Sequence, residues 1–382
     1  MPNQVDVLVP AFNASATIRA SLASILAQEE LEFRIIVVDD GSTDDTLRIV
    51  SEMAAEDGRI HLIAAQHGGI VEALNAGLLH CNAPYVARHD ADDFAFKNRL
   101  AEQCRFLEAH PDCVAVGCRA HVIDSAGQRT GQVTFFQGPA QGDLSWVPAR
   151  EPYIMHPFLM LRRETLVAVG GYRHVLHAED SDLYWRLLRL GKLYNMDAIL
   201  GEYRLHAQGV SSASVTNGRA GAVFSQLAAL SARRHAQNLP DLAFSSHFAT
   251  EVGHGMSLAC MIDRAGKDLS VMERRDLALS GAAKFLELSS YRSFRPEVAD
   301  FRTIRDTFRE QASRLSPANR RVLAAMYATG VTRCVARGCG LPPLQFCLDP
   351  LFIFGITIFQ ARKLLSLIAR TRTTRNTELT RA

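Results

Sequence analysis

The chain has 382 residues, 48% of them hydrophobic and 21% charged, with a formal net charge of +2. That composition suits a globular protein with room for one large domain or two to three ordinary ones, and so small a charge gives no argument for a nucleic-acid partner. Eight cysteines occur without a CxxC pair or a Cys/His zinc spacing, so buried reduced thiols are expected rather than a disulfide framework.

The chain starts MPNQVDVLVP, with no basic region leading into an apolar one, so no signal peptide is expected. VDVLVPAF reads as a strand. NASATIRASLASILAQ follows as a helix, with Ile18, Leu22, Ile25 and Leu26 at helical spacing and Asn13 or Ser15 as its cap. FRIIVVDDGS is a second strand, whose unbroken apolar centre suggests burial on both faces in a parallel sheet. TDDTLRIVSEMAAEDG is a helix capped near Thr43 or Asp44. IHLIAA, GIVEALNAGLLHC and PYVARHD continue as strand, helix and strand. This alternation predicts a doubly wound α/β sheet.

From about residue 110 the pattern loosens, with short strands near CVAVGCRAHVID and RTGQVTFF. SDLYWRLLRLGK reads as a helix with Leu183, Leu187 and Leu190 on its buried stripe and Gly191 as its C-cap. After about residue 220 the segments AGAVFSQLAALSARRHAQ, TEVGHGMSLACMIDRAG, RRDLALSGAAKFLEL, DFRTIRDTFREQASRL and ANRRVLAAMYATGVTRCVARG read as amphipathic helices. The tail combines a mostly apolar Leu351–Phe359 with Arg362, Lys363, Arg370, Arg372 and Arg375. The apolar run is too short to span a bilayer, but apolar bulk beside a basic flank suits an anionic membrane surface. A last helix packed on the protein core is the plain alternative.

Three chemically loaded stretches end strands: VPAFN, VVDDGSTDD and RHDADD. Ligands of open α/β sheets bind at the carboxyl ends of strands, so the three together point to one site. In extended backbone Asp90 and Asp92 face the same side and offer hard oxygen ligands to Mg2+ or Mn2+, which could neutralise a departing diphosphate. Asp93 would face away and cap the helix containing KNRL. Phe12 could stack on a nucleobase and Asp39 accept from a base N–H. Neither a G-x-G-x-x-G nor a G-x-x-x-x-G-K-[ST] loop occurs. Glu179 and Asp180 fall at a helix N-terminus, where the dipole favours ionised carboxylates, and such a carboxylate can act as a general base or merely cap the helix.

In this order VPAFNA, VVDDGSTDDT, NAGL, ARHDADD, HPFLMLRRETLVAVGGYR and AEDSDLYWRLLRLGK resemble a bacterial family 2 glycosyltransferase with the inverting GT-A fold. The resemblance covers roughly residues 3 to 215. It implies a mixed, mostly parallel sheet followed by an α-helical region, and metal-assisted transfer from a nucleotide-diphosphate sugar, most often a UDP-sugar, to a hydroxyl of a cell-surface glycan or lipid-linked saccharide. By the resemblance, Pro10, Ala11 and Phe12 line the nucleobase pocket, Asp39 binds the base and Asp40 supports the nucleotide end. Arg88 faces the diphosphate or ribose, and Asp90 touches ribose or the metal shell. Asp92 is the main ligand of Mg2+ or Mn2+. Asp180 is the catalytic base, with Glu179 nearby on the acceptor or sugar. His206 in EYRLHAQGVSS matches a position that contacts metal or diphosphate in some members, and His156 in MHPF is a weaker match of the same kind. As lone histidines both have a structural alternative.

The implied organisation is a catalytic domain over 1–220, with nucleotide-sugar binding over about 1–110 and the acceptor side over about 111–220. A helical region over 221–338 and a basic amphipathic tail over 339–382 follow. A cytoplasmic location is expected, with the tail as a contact to the inner face of the cell membrane. Two rivals are a non-catalytic sugar-nucleotide-binding scaffold at the membrane and a sugar nucleotidyltransferase. The second would carry a glycine-rich basic loop after the first strand, whereas VPAFNASAT has neither glycine nor base.

Overall fold

The computed structural model describes residues 4–134, 142–205, 214–253, 257–336 and 355. Its Cα framework divides into two compact units. One comprises Met1–Leu144, Arg150–Gly209 and Ser231–Ala249; the other comprises Ser145–Ala149, Val210–Leu230 and Thr250–Ala382.

The first unit is built on one nine-stranded sheet. Its strands are β1 (Val5–Ala11), β2 (Phe33–Asp39), β3 (Ile60–Ala64), β4 (Tyr85–Arg88), β5 (Phe94–Ala95), β6 (Cys113–Ile123), β7 (Arg129–Val133), β8 (Met160–Arg162) and β9 (Lys192–Arg204). They lie in the order β3-β2-β1-β4-β8-β6-β9-β5, with β7 added to β6. β1 pairs in parallel with β2 and β4, β2 with β3, and β6 with β9. β8 is antiparallel to both neighbours, as are β5 to β9 and β7 to β6. Most paired residues are in parallel registers, so the sheet is mixed and mostly parallel, as expected.

The helices of this unit include α1 (Ile18–Leu26), α2 (Thr46–Glu56), α3 (Ile70–Leu78), α4 (Arg99–Ala109), α5 (Arg163–Ala168) and α6 (Glu179–Leu187). Alternate residues of β1 feed two cores. Val5, Val7 and Val9 pack with Ile18, Leu22 and Leu100, while Leu8 packs with Ile36, Val38 and Leu74 of α3. Apolar burial on both faces is why these strands read as unbroken runs.

Local details depart from expectation. Asn13 does not cap α1; the N-cap is Thr17, without a side-chain bond, and Asn13 Oδ1 instead accepts the Thr43 amide at 2.8 Å. Asp44 ties two loops, accepting from the amides of Thr46 at 3.0 Å and Ser15 at 3.1 Å. α6 ends at Leu187 with Leu188 as its C-cap, so Leu190 lies beyond the helix and is 49% exposed. Gly191 is not the cap. A Cβ there would meet Val114 Cγ1 at 2.5 Å and the Asp112 carbonyl at 2.8 Å, so close approach to the start of β6 requires glycine.

The helices after residue 214 are α7 (Val215–Ala236), α8 (Ser246–Gly253), α9 (Leu258–Ala265), α10 (Val271–Tyr291), α11 (Val298–Gln311) and α12 (Pro317–Ala336). TEVGHGMSLACMIDRAG holds the end of α8 and all of α9 rather than one helix. α10 begins with a complete capping box, Ser270 with Glu273. In the second unit Arg219 is held by Asp300 at 2.9 Å, and Phe301 and Phe308 meet Tyr327 edge-on. Among the described residues no helix is long and apolar enough to cross a membrane. The basic tail lies outside the described residues, Gly355 excepted. Cys81, Cys104, Cys113, Cys118 and Cys260 are free, and burial pushes the Cys81 and Cys104 thiols up to about 12.

Candidate active site

The carboxyl ends of β1, β2 and β4 are adjacent because these strands are adjacent. Pro10 and Ala11 close β1, buried and in register with Val38 and Asp39. Phe12 follows and is 45% exposed, its ring stacked on His67 at 4.3 Å between centroids. Asp39 is buried. Its Oδ2 accepts the Ser42 amide at 3.1 Å, whereas Oδ1 has no hydrogen-bond partner among the described residues. A buried acceptor left unmet is costly, so this oxygen fits a ligand N–H. Asp40 is engaged with the protein itself: Oδ1 and Oδ2 accept the amides of Gly68 at 2.8 Å and Gly69 at 2.9 Å, at the start of α3. His67 Nδ1 lies 2.9 Å from the same carboxylate. Gly41, between them, has φ +71°, and a Cβ there would meet the His67 amide nitrogen at 2.7 Å. Asp40 thus fixes the His67 loop against Phe12.

Beyond β4 the loop Arg88–Asp93 is anchored by its backbone. Arg99 Nη2 donates to the Arg88 carbonyl at 2.6 Å, Ser21 Oγ to that of Asp90 at 2.9 Å and Arg204 Nε to that of Asp92 at 3.0 Å. Arg99 Nη1 also donates to His89 Nδ1 at 2.9 Å, which puts the imidazole proton on Nε2, 3.2 Å from the Asp93 carbonyl. Burial and then the Arg99 charge hold His89 well below its ordinary range, so it is neutral. Each anchor comes from a different element, α4, α1 and β9, so the loop is braced from three sides.

The side chains this loop presents are acidic. Carboxylate oxygens of Asp90, Asp92 and Asp93 lie within 4.8 Å of one another. Arg88, buried, forms an ion pair with Asp90. Asp93 does not turn away to cap the next helix, whose N-cap is Asn98. It is fully buried in the cluster; Oδ1 accepts the Arg204 amide at 2.7 Å and Oδ2 has no hydrogen-bond partner among the described residues. Burial, then the charges of Asp90 and Asp92, push its carboxyl well above the usual range. Three hard oxygen donors with one buried oxygen unmet fit Mg2+ or Mn2+.

Glu179 and Asp180 open α6, whose first turn also holds Asp182. Asp180 Oδ1 accepts the Ser181 amide at 2.7 Å. Burial and then Asp180 push Glu179 up to about 7, and Glu179 also feels the charges of Arg88 and Asp90, so the two acidic stretches share one electrostatic site. Tyr172 joins them: its hydroxyl lies 2.9 Å from His156 Nε2, and it feels Arg88, Glu179 and Asp180. Burial, then Arg88, hold His156 well below its ordinary range. His206 lies outside the described residues.

Glycosyl transferase family 2 matches residues 6–170, which span all the loaded strand ends. EpsE of Bacillus subtilis (strain 168), provisionally named a glycosyltransferase, is 33% identical over 207 residues, covering 53% of this chain and 73% of that protein. The chain belongs to glycosyltransferase family 2. The succinoglycan biosynthesis protein ExoU of Rhizobium meliloti (strain 1021) is 29% identical over 210 residues, 51% of this chain and 60% of that protein. A solved mannosyltransferase from Pyrobaculum calidifontis, in complex with GDP-Man and Mn2+, aligns with a TM-score of 0.48 and 18% identity over 94% of this chain and 87% of that one.

Three residues of the candidate site carry no motif in the sequence. Arg204 was passed over beside His206, Arg99 resembled an ordinary helix residue, and His67 sat in a loop without a motif. Neither Arg204 nor Arg99 carries a local signal of burial: Arg99 follows Lys97 and Asn98, and Arg204 lies between Glu202 and His206.

Proposed function

We propose that this glycosyltransferase moves a sugar from a nucleotide-diphosphate sugar, a UDP-sugar by preference, to a hydroxyl of a surface polysaccharide or its lipid-linked precursor, inverting the anomeric centre in one displacement. The observation that carries the reading is the convergence of an unmet Asp39 oxygen, a three-carboxylate cluster and the Glu179–Asp180 pair on one side of one sheet. The printed role of ExoU, succinoglycan biosynthesis, supports a polysaccharide product.

Pro10, Ala11 and Phe12 would line the base pocket, with Phe12 offering a ring face and Asp39 Oδ1 accepting a base N–H. Asp90 and Asp92, with Asp93 behind them, would hold Mg2+ or Mn2+, and His206 is a further candidate ligand. Bound there, the cation would stabilise negative charge on the departing diphosphate. Arg88, buried and paired with Asp90, would add positive charge beside the same phosphates. Asp180 would take the acceptor hydroxyl proton, and Glu179 would set its basicity. The basic apolar tail supports contact with an anionic membrane surface, where a lipid-linked acceptor would sit.

The direct test is Asp92→Ala. Transfer should lose its dependence on added Mn2+ or Mg2+, and nucleotide-sugar affinity measured with metal should fall about 10-fold or more. Unchanged metal dependence removes Asp92 from this role.

Glu179 gives the pH dependence. Above about pH 7 it is ionised, and its negative charge then stands beside Asp180. Transfer measured as kcat/KM should therefore rise through that range, and Glu179→Gln should flatten the rise. Stability moves the other way. The folded value lies above the ordinary 4.5, so Glu179 supports the fold fully below 4.5 and that support is lost as pH rises through about 7. Melting at about pH 8 should show Glu179→Gln more stable than the unaltered chain; equal or lower stability would mean the carboxylate is not strained by its surroundings.

A further inference from the structure

Arg204, the last residue of β9, is buried. Its amide donates to Asp93 Oδ1 at 2.7 Å and its Nε to the Asp92 carbonyl at 3.0 Å. Its Nη1 donates to the carbonyls of Asp124 at 2.9 Å and Ser125 at 3.0 Å, in the turn between β6 and β7. The guanidinium also lies over the Phe94 ring, 5.7 Å from its centroid. Among the described residues, the guanidinium hydrogen bonds run to backbone carbonyls rather than to a carboxylate. Their effect is therefore on backbone position more than on charge balance.

The far end of this contact is rigid. Asp124 Oδ1 accepts the amides of Ala126 and Gln128, both at 2.9 Å, which closes the turn on itself. The Leu205 amide donates to the Ile123 carbonyl at 2.9 Å, joining β9 to the same end of β6. A guanidinium is planar, so holding Nε on one carbonyl fixes where Nη1 points. The Asp92 carbonyl and the turn are thereby kept at a set separation.

We propose that Arg204 is a positioning residue of the cation site, fixing the Asp92–Asp93 backbone to the β6–β7 turn so that the turn sets the aim of both carboxylates. This rests on the reading of Asp90, Asp92 and Asp93 as that site. The test is titration of the full-length chain with Mn2+ alone, following loss of the free-ion electron paramagnetic resonance signal, alongside thermal melting. Arg204→Met should weaken Mn2+ binding by about 10-fold or more, and Arg204→Lys by less, since an ammonium restores one of the bonds. Asp124→Ala, which loosens the turn away from the carboxylates, should weaken it several-fold, and excess Mn2+ should restore turnover in Arg204→Lys.

A residue with only a structural role would lower the melting temperature and leave the Mn2+ affinity of the folded protein unchanged; that result overturns the proposal. Should Arg204→Met fail to fold, unchanged affinity in both Arg204→Lys and Asp124→Ala overturns it equally. If Asp92→Ala binds Mn2+ like the unaltered chain, the cation site itself is misassigned and the inference falls with it.

Discussion

Asp180→Asn should reduce glycosyl transfer by about a hundred- to ten-thousand-fold, the usual contribution of a positioned general base. The substitution is close to isosteric. Asp180 Oδ1 accepts the Ser181 amide at 2.7 Å, and the asparagine carbonyl can accept the same bond, so the start of α6 keeps its geometry. What changes is the other oxygen, replaced by an NH2 group that cannot take a proton. Donor binding should persist, because the Phe12–Asp39 and Asp90–Asp92–Asp93 groups are untouched. The melting temperature should move by less than about 2 °C, since the side chain keeps its size and the Ser181 bond is retained. Turnover within about tenfold of the unaltered chain would transfer the base role to Glu179, whose carboxyl stands at about 7 and could serve at neutral pH.

Two residues along the same helix the expected outcome reverses. Asp182 is fully buried, accepting from Arg173 Nε at 3.0 Å and Arg186 Nε at 2.9 Å. Arg186 in turn donates to the carbonyls of Val169 and Gly171, both at 2.7 Å, so the pair ties α6 to the loop after α5. Asp182→Asn leaves Arg186 buried without its counter-charge. Losing one partner of a buried pair costs roughly 3–5 kcal/mol, and the lower end applies because Arg173 keeps some solvent and reaches Asp241 at 3.5 Å. About 3 kcal/mol corresponds to a fall of roughly 6–12 °C in melting temperature for a domain of 150–250 residues. Activity per folded molecule should be nearly kept. A variant that melts normally but has lost turnover would place Asp182 in the chemistry instead.

β1, β2 and β4 are readable in the sequence because each is buried on both faces and shows as an apolar run between turn residues, whereas β3, at the sheet edge, is only partly buried. β9 was not readable. Its residues Lys192, Tyr194 and Asp197 are exposed, and register shifts interrupt its pairing with β6, so neither alternation nor an apolar run survives. The acidic motifs were legible as chemistry, but the division of labour among them was not. Asp93 was assigned to a helix cap because its partner, the Arg204 amide, is 111 residues away. Asp39 and Asp40 are neighbours with the same side chain, yet one leaves an oxygen unmet and the other is consumed by the Gly68 and Gly69 amides. Only the local backbone distinguishes them.

The sheet order also bears on synthesis. β3, β2, β1 and β4 are mutual neighbours drawn from the first quarter of the chain, whereas β9 inserts between β6 and β5 from a position about a hundred residues later. Pairings between near segments close sooner than distant ones, and a chain leaving the ribosome offers them first. The nucleotide half can therefore take shape while β9 is still unmade. The Asp92–Asp93 backbone acquires its last brace only when Arg204 arrives. On the site assignments proposed above, a nascent chain would be shaped for the base before it is shaped for the cation, and catalytic competence would wait until the sheet is complete.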